Sequence, residues 1–108
     1  MKESQIQAQV VQYLQYLENA GRLYFIRNNV FTGQIRRRDG SIGYMRQGKS
    51  GTSDLIIFLK GGRTIFCELK SEKGKQSFLQ MEFERKIKQL GYEYQVIKSI
   101  EELEKILK

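Results

Sequence analysis

The spacing of apolar residues predicts three amphipathic helices along the chain. The first covers residues 4–21, ends at Gly21 and has four apolar positions, Ile6, Val10, Leu14 and Leu17. The second runs from Ser77 to about Leu90, with the apolar positions Leu79, Phe83, Ile87 and Leu90. The third covers residues 99–108. Capping-box spacing at Ser77 with Gln80, and at Ser99 with Glu102, favours helix starts at both places.

Four further segments are rich in branched and aromatic residues and predict strands. They are residues 22–28, 54–59, 63–69 and 92–98. Between the first two, Asp39-Gly40 marks a hairpin turn whose flanking residues are rich in glycine and arginine. The element order α-β-hairpin-β-β-α-β-α predicts an α/β fold with a central mixed β-sheet flanked by helices, in a single domain of residues 1–108.

Composition narrows the chemistry that the chain can perform. One cysteine and no histidine leave a structural zinc site without its usual ligands and remove Ser-His and Cys-His catalysis. Cys67 lies in an apolar strand and is predicted to be a small buried hydrophobic residue. Any catalysis must therefore use carboxylates, lysine or a metal ion bound through oxygen.

Charge and hydropathy point to a cytoplasmic protein with an anionic partner. No apolar run reaches the length of a membrane span, and MKESQIQAQ is too polar for a signal peptide. One cysteine cannot form an internal disulfide, which fits a reducing compartment. Nineteen Lys and Arg against twelve Asp and Glu give a net charge of +7, which favours nucleic acid as the partner.

The two strongest strands carry charge at one end. Glu68 and Lys70 are two residues apart, so in a strand they point to the same face, while Leu69 points to the other. If residues 60–62 form a three-residue hairpin loop, Asp54 lies opposite Glu68. A two-residue loop would instead place Asp54 opposite Leu69, on the wrong face.

Under the first register, two carboxylates lie about 5 Å apart and can bind one divalent cation. Mg²⁺ keeps several waters and leaves room for a phosphate oxygen, and Lys70 can orient the attacking water or stabilise developing charge. This combination can hydrolyse a phosphodiester without histidine. The alternative is structural: Glu68 pairs with Lys70 at a sheet edge, and Asp54 caps a turn.

A cluster of basic residues precedes this hairpin: Arg36, Arg37, Arg38, Arg46 and Lys49, with only Asp39 to oppose them. A basic ribbon that ends close to Asp54 can follow a phosphate backbone beside a cut site. The alternative is a solvated flexible loop.

The motifs together resemble the VRR-NUC family, a branch of the PD-(D/E)XK nucleases, over nearly the whole chain. Residues 51–55, GTSDL, resemble the family's acid after a glycine-containing loop, although proline usually stands where this chain has Ser53. Residues 68–70, ELK, resemble its E-x-K motif. Gly74, Ser77 and Gln80 resemble the glycine, serine and glutamine that follow this motif in the family. Glu3 resembles the acid that the family carries near the start of its N-terminal helix.

The resemblance implies a restriction-endonuclease-like core, α-β-β-β-α-β with a basic hairpin insertion, and a DNA endonuclease dependent on Mg²⁺ or Mn²⁺. Asp54, Glu68 and the Leu69 carbonyl would bind the metal, Lys70 would be the catalytic lysine, and Glu3 and Gln80 would support the site. From the residues alone, Glu3 equally fits a solvated acid at the positive helix end, and Gln80 equally fits a capping side chain.

Short family members of this kind are implied to be homodimers that cut four-way (Holliday) junctions, in a viral or bacterial cell interior. A two-fold dimer matches a two-fold symmetric substrate. Three alternatives stay open: a monomeric nuclease of flaps or other branched DNA, a DNA-binding module without catalysis, and an RNA-binding protein.

Overall fold

The computed structural model describes residues 1–28, 31–47 and 51–108, with the backbone alone for residues 31–35 and 44–47. Its helices and strands follow the predicted order: α1 Glu3–Asn19, β1 Leu23–Arg27, β2 Phe31–Arg36, β3 Ile42–Gln47, β4 Leu55–Leu59, β5 Thr64–Leu69, α2 Phe78–Gln89, β6 Glu93–Ile97 and α3 Ile100–Leu107. No helix in these ranges is long and apolar enough to cross a membrane.

Four strands form the central sheet in the order β1-β4-β5-β6. The β1–β4 and β4–β5 pairs are antiparallel and the β5–β6 pair is parallel, so the sheet is mixed, as predicted. Strands β2 and β3 pair with each other as a separate antiparallel hairpin, inserted between β1 and β4. The predicted α/β class with a hairpin insertion is therefore confirmed.

The hydrophobic core lies between one face of the sheet and the helices α1 and α3. All four predicted core positions of α1 are buried: Ile6, Val10, Leu14 and Leu17. They pack with Leu103 of α3 and with alternate residues of the two central strands: Leu55, Ile57, Ile65, Cys67 and Leu69. Because side chains alternate between the two faces of a strand, every second residue of β4 and β5 points into this core. The residues between them point to the other face of the sheet.

Helix α2 lies on the opposite face of the sheet and covers only part of it. Phe83 of α2 contacts the rings of Phe66 and Tyr94 at centroid distances of 5.9 and 6.1 Å. Of the four apolar positions predicted for this helix, Phe83 and Ile87 are half-buried, and no residue of α2 is fully buried. Leu79 and Leu90 remain 51% and 72% exposed.

The helix ends follow the predicted signals with one difference. Gly21 and Gly91 follow α1 and α2 at φ +74° and +93°, a conformation that costs glycine little. Ser77 and Gln80 form the predicted capping box. At α3, Ser99 accepts from the Glu102 N–H, but the Glu102 carboxylate accepts from the Lys98 N–H rather than from Ser99, so only half of that box forms.

Candidate active site

The β4–β5 hairpin has the register that brings two acids together. The Leu59 N–H donates to the Arg63 carbonyl at 2.8 Å, which closes a three-residue turn over Lys60–Gly62. Gly61 and Gly62 both have positive φ, +82° and +84°, as a tight left-handed turn requires. Leu55 pairs with Cys67, so the next positions in the same register are Asp54 and Glu68. The three-residue loop predicted from the sequence is confirmed.

Alternation along β5 separates the core from the candidate site. Cys67 and Leu69 point into the core and are 0% and 1% exposed. Glu68 therefore points to the other face, with Phe66, which packs against α2. Burial, reinforced by the nearby acids Asp54 and Glu68, raises the pKa of the Cys67 thiol, as expected for an inert hydrophobic residue.

Asp54 is fixed by backbone hydrogen bonds on both sides. Its Oδ2 accepts from the Leu69 N–H at 2.8 Å, across the β4–β5 pair. Its main-chain carbonyl accepts from the Asn28 N–H at 2.8 Å, beside β1. The preceding residue, Ser53, is fully buried and donates through Oγ to the Leu55 carbonyl at 3.2 Å. The carboxylate of Asp54 is thus held against β5, next to Glu68.

Glu68 is fully buried, yet neither carboxylate oxygen accepts a hydrogen bond from the residues that the structure describes. Burial raises its pKa, and the charge of Asp54 adds to the rise; Gln76, Lys70 and Tyr94 oppose it. Gln76 and Tyr94 are near enough to lower the pKa, although neither has the geometry of an ordinary hydrogen bond to Glu68. A buried carboxylate without such partners is costly unless a cation neutralises it.

The structural alternative from the sequence, an ion pair between Glu68 and Lys70, is not found. Asp54, Glu68 and Lys70 form no salt bridge with one another, and the ion pairs of the described residues join other side chains. Lys70 follows Glu68 by two positions, and its N–H donates to the Ile97 carbonyl at 3.0 Å, so the strand pairing with β6 continues past Leu69. Lys70 therefore lies at this edge of the sheet and forms no salt bridge with a described acid.

Two further predicted residues lie beside this centre rather than in it. Glu3 is exposed at the first residue of α1, where it lines a shallow cavity of about 560 Å³ with Ser71, Glu72 and Lys73, just beyond the end of β5. Gln80 uses its side-chain oxygen to accept from the Ser77 N–H at 2.8 Å. Within the described ranges no group of three or more His, Cys, Asp or Glu side chains is placed to hold a metal. Supporting roles for Glu3 and Gln80 stay predictions.

Sequence reasoning missed two residues next to Glu68. Tyr94 pairs with Phe66 across β5–β6 and is 5% exposed, and its hydroxyl has no ordinary hydrogen bond in the described part of the chain. Gln76 donates through Nε2 to Glu84 Oε1 at 3.0 Å. The period-two pattern of β6 could have placed Tyr94 on this face, whereas nothing in the sequence marks Gln76, which lies in the loop before α2.

The backbone of the basic hairpin is formed, and three of its arginines lie at or next to its tip. Arg36 ends β2 and pairs with Ile42, and Arg37 and Arg38 are exposed in the turn. Asp39 accepts from the Ser41 hydroxyl and N–H at 2.6 and 2.9 Å, which lowers its pKa. Asp39 is thus occupied by the turn and pairs with none of the described arginines. The Arg46 side chain and Lys49 lie outside what the structure describes.

A mixed four-stranded sheet flanked by helices, with two acids opposed across a β-hairpin, defines a restriction-endonuclease-like fold. A solved structure described as a VRR_NUC domain is similar to this chain over 99% of its length and 95% of that chain, with a TM-score of 0.67 and 20% identity. No known family model and no curated protein matches the sequence. At this identity the likeness establishes the fold alone, and it confirms the VRR-NUC fold predicted from the motifs.

Proposed function

We propose that this protein is a metal-dependent DNA endonuclease that hydrolyses phosphodiester bonds. The observation that carries the proposal is the carboxylate of Glu68, which is fully buried without a hydrogen-bond partner among the described residues and lies opposite Asp54. Burying an acid without a partner destabilises the fold, because the desolvation cost is not offset by hydrogen bonds. A bound cation would offset this cost.

The oxygen atoms at this edge fit a hard divalent cation. Two carboxylates from adjacent strands and the carbonyl of Leu69 are the donor types that Mg²⁺ and Mn²⁺ prefer. When bound, such an ion lowers the pKa of a coordinated water and neutralises charge on the phosphate. Asp54 and Glu68 would hold it, and the Leu69 N–H bond to Asp54 Oδ2 would fix the orientation of the first carboxylate.

Lys70 supplies the remaining function that hydrolysis needs. Its side chain belongs to the same sheet face as Glu68 by alternation, and no acid of the described residues pairs with it. An ammonium group there orients the attacking water or stabilises the negative charge that develops on the phosphate oxygens. Gln80 and Glu3 would support the site from α2 and α1.

The proposed substrate is branched DNA. The net charge of +7 and the exposed arginines at the hairpin tip favour a phosphate backbone as partner. We favour a homodimer that resolves four-way junctions, because two related sites match a two-fold symmetric substrate. A monomer that cuts flaps is the alternative.

The test is cleavage of a panel of labelled DNAs (duplex, flap, fork and four-way junction), with Mg²⁺, with Mn²⁺ and with EDTA. Lys70→Ala should lower the cleavage rate at least about 100-fold while DNA binding is retained. Lys105→Ala removes the same charge from α3, behind the opposite sheet face, and should leave cleavage unchanged. Cleavage that persists in Lys70→Ala, or in EDTA, would contradict the proposal, and sedimentation of the same sample decides between dimer and monomer.

A further inference from the structure

Half of the sheet face that carries the acids is not covered by a helix. On β1 and β4, three large apolar side chains are exposed: Tyr24 by 59%, Ile26 by 43% and Phe58 by 37%. We call these three residues the aromatic platform. Tyr24 lies opposite Phe58 in the β1–β4 register, and their ring centroids are 6.3 Å apart with planes tilted by 39°. Exposed apolar patches of this kind mark sites of interaction.

The platform shares its strand and its face with the candidate site. Along β4, Leu55 and Ile57 point into the core, so Phe58 and Asp54 both point to the other face. Asp54 precedes Phe58 by four residues, which is about 13 Å along a strand. At about 3.4 Å per nucleotide in a stacked strand, that distance corresponds to about four nucleotides, and to fewer in an extended one.

Two of the occupants that normally cover an apolar sheet face do not fit. Helix α2 packs on β6 and on Phe66 of β5, on the other side of Glu68. A second copy of the chain would need a patch of about 20–30 residues on each side for a stable interface. The platform has three exposed large side chains, which is too few for that purpose.

Positive charge borders the platform at the end away from Asp54. Arg22 precedes β1 and Lys60 follows β4; both are exposed. They line one shallow cavity of about 300 Å³ at this end of the sheet, together with Arg63 and with Leu59 and Leu107, which pack against the core. Glu93 holds Arg63 in a bidentate pair at 3.0 Å. Arg22 and Lys60 have no ion pair among the described residues. A ligand that combines flat apolar faces with a chain of negative charges fits this surface.

We propose that the aromatic platform binds unpaired nucleobases of single-stranded DNA next to the cut site. Rings on an open sheet reach the faces of bases only where those bases are not stacked inside a duplex, and stacking on aromatic side chains is a common way to bind single strands. Arg22 and Lys60 bind the backbone phosphates of the strand where it continues past the platform. This inference rests on the proposed nuclease function and narrows its substrate to branches with unpaired nucleotides, such as flaps, forks or frayed junctions.

The experiment compares a forked DNA, with 2-aminopurine in one unpaired arm, with a fully paired duplex of equal length, in EDTA so that no DNA is cut. Tyr24→Ala should weaken fork binding about 5- to 150-fold, the equivalent of about 1–3 kcal/mol, and leave duplex binding unchanged. It should also abolish quenching of the 2-aminopurine fluorescence. Tyr24→Phe keeps the ring and should behave like the unmodified protein.

A second variant and two controls test the interpretation. Phe58→Ala should repeat the selective loss for forked DNA, and circular dichroism of each variant reports its folding. Tyr16→Ala removes a ring that is 70% exposed on α1, behind the opposite sheet face, and should change neither affinity nor quenching. Equal losses for fork and duplex, or no loss for either, would overturn the inference. So would a Tyr24→Ala variant that separates a dimer in sedimentation and keeps the quenching, because the patch would then join two protein copies.

Failure of this inference can be told apart from failure of the proposed function. If the protein cleaves DNA with a metal but does not quench 2-aminopurine, the role of the aromatic platform is refuted and the nuclease function stands. If it quenches 2-aminopurine but does not cleave with any divalent metal, the nuclease function is refuted and the platform stands as part of a DNA-binding module.

Discussion

Replacing Glu68 by methionine should stabilise the metal-free protein and abolish its response to divalent cations. The side chain is 0% exposed, and its oxygens have no hydrogen-bond partner in the part of the chain that the structure describes. An unsatisfied buried polar group costs about 1–3 kcal/mol, and a charged one costs more. Methionine has a similar length and no such penalty, so unfolding in EDTA should become harder by about 1–3 kcal/mol. Glu68→Gln keeps a polar group and should gain less.

Thermal unfolding followed by circular dichroism measures this effect. A gain of 1 kcal/mol raises the Tm of a domain of this size by about 4–8 °C. Mn²⁺ at about 100 times its Kd should stabilise the unmodified protein by about 2.7 kcal/mol and leave Glu68→Met unaffected. The stability advantage of Glu68→Met should therefore shrink or reverse when metal is added. Glu104→Gln, at an exposed position of α3, is the control and should match the unmodified protein in both buffers.

The contribution of Glu68 to folding stability in EDTA depends on pH in a defined direction. Burial raises the pKa of Glu68 above its ordinary value of 4.5, so the folded chain takes up this proton at a higher pH than the unfolded chain. The contribution of Glu68 to stability therefore falls as the pH rises through the range above 4.5. The advantage of Glu68→Met should be largest near neutral pH and should shrink on acidification. A Glu68→Met protein that is less stable in EDTA, or that responds to Mn²⁺ like its parent, would refute the reasoning.

Substitutions at the tip of the basic hairpin and at Gly62 probe the two hairpins. The triple change of Arg36, Arg37 and Arg38 to Ala should reduce the slope of log K for DNA against log salt by up to about 0.9 per lost phosphate contact, measured by fluorescence anisotropy; an unchanged slope would show that the hairpin tip does not touch DNA. Gly62→Ala places a Cβ at φ +84° and should cost about 1–2 kcal/mol in urea unfolding. Gly62→Asn tolerates this conformation better and should cost less, and equal costs would contradict the backbone argument.

The parts of the fold set by local periodicity could be predicted. Buried positions of α1 follow from one apolar stripe that faces one sheet, and the opposition of Asp54 and Glu68 follows from turn length and the period of two. Both arguments need only residues within one helix or one hairpin. Gly61 and Gly62 can adopt the positive φ that the three-residue loop requires, and this loop sets the register of β4 and β5.

Coverage of one element by another could not be predicted in this way. The apolar stripe of α2 has the same pattern as that of α1, yet Leu79 and Leu90 are exposed whereas the four apolar positions of α1 are buried. Tyr24 and Phe58, on β1 and β4, are also exposed, and their own strand patterns do not reveal this. Likewise, the sequence places Glu68 on the face of Lys70, but its complete burial depends on what packs above it, including the loop that contains Gln76.

The position of Glu68 in the sheet explains why its carboxylate cannot escape to solvent. Strand β5 is hydrogen-bonded on both sides, to β4 through Cys67 and to β6 through the pairing of Glu68 with Val96. Cys67 and Leu69 are locked in the core on either side of it, so rotating the acid outward would expose two buried side chains. The core thus offsets the cost of a charge held in a fixed orientation, which is the arrangement that a preorganised cation site needs. A surface acid could bind a cation only by giving up side-chain entropy on binding.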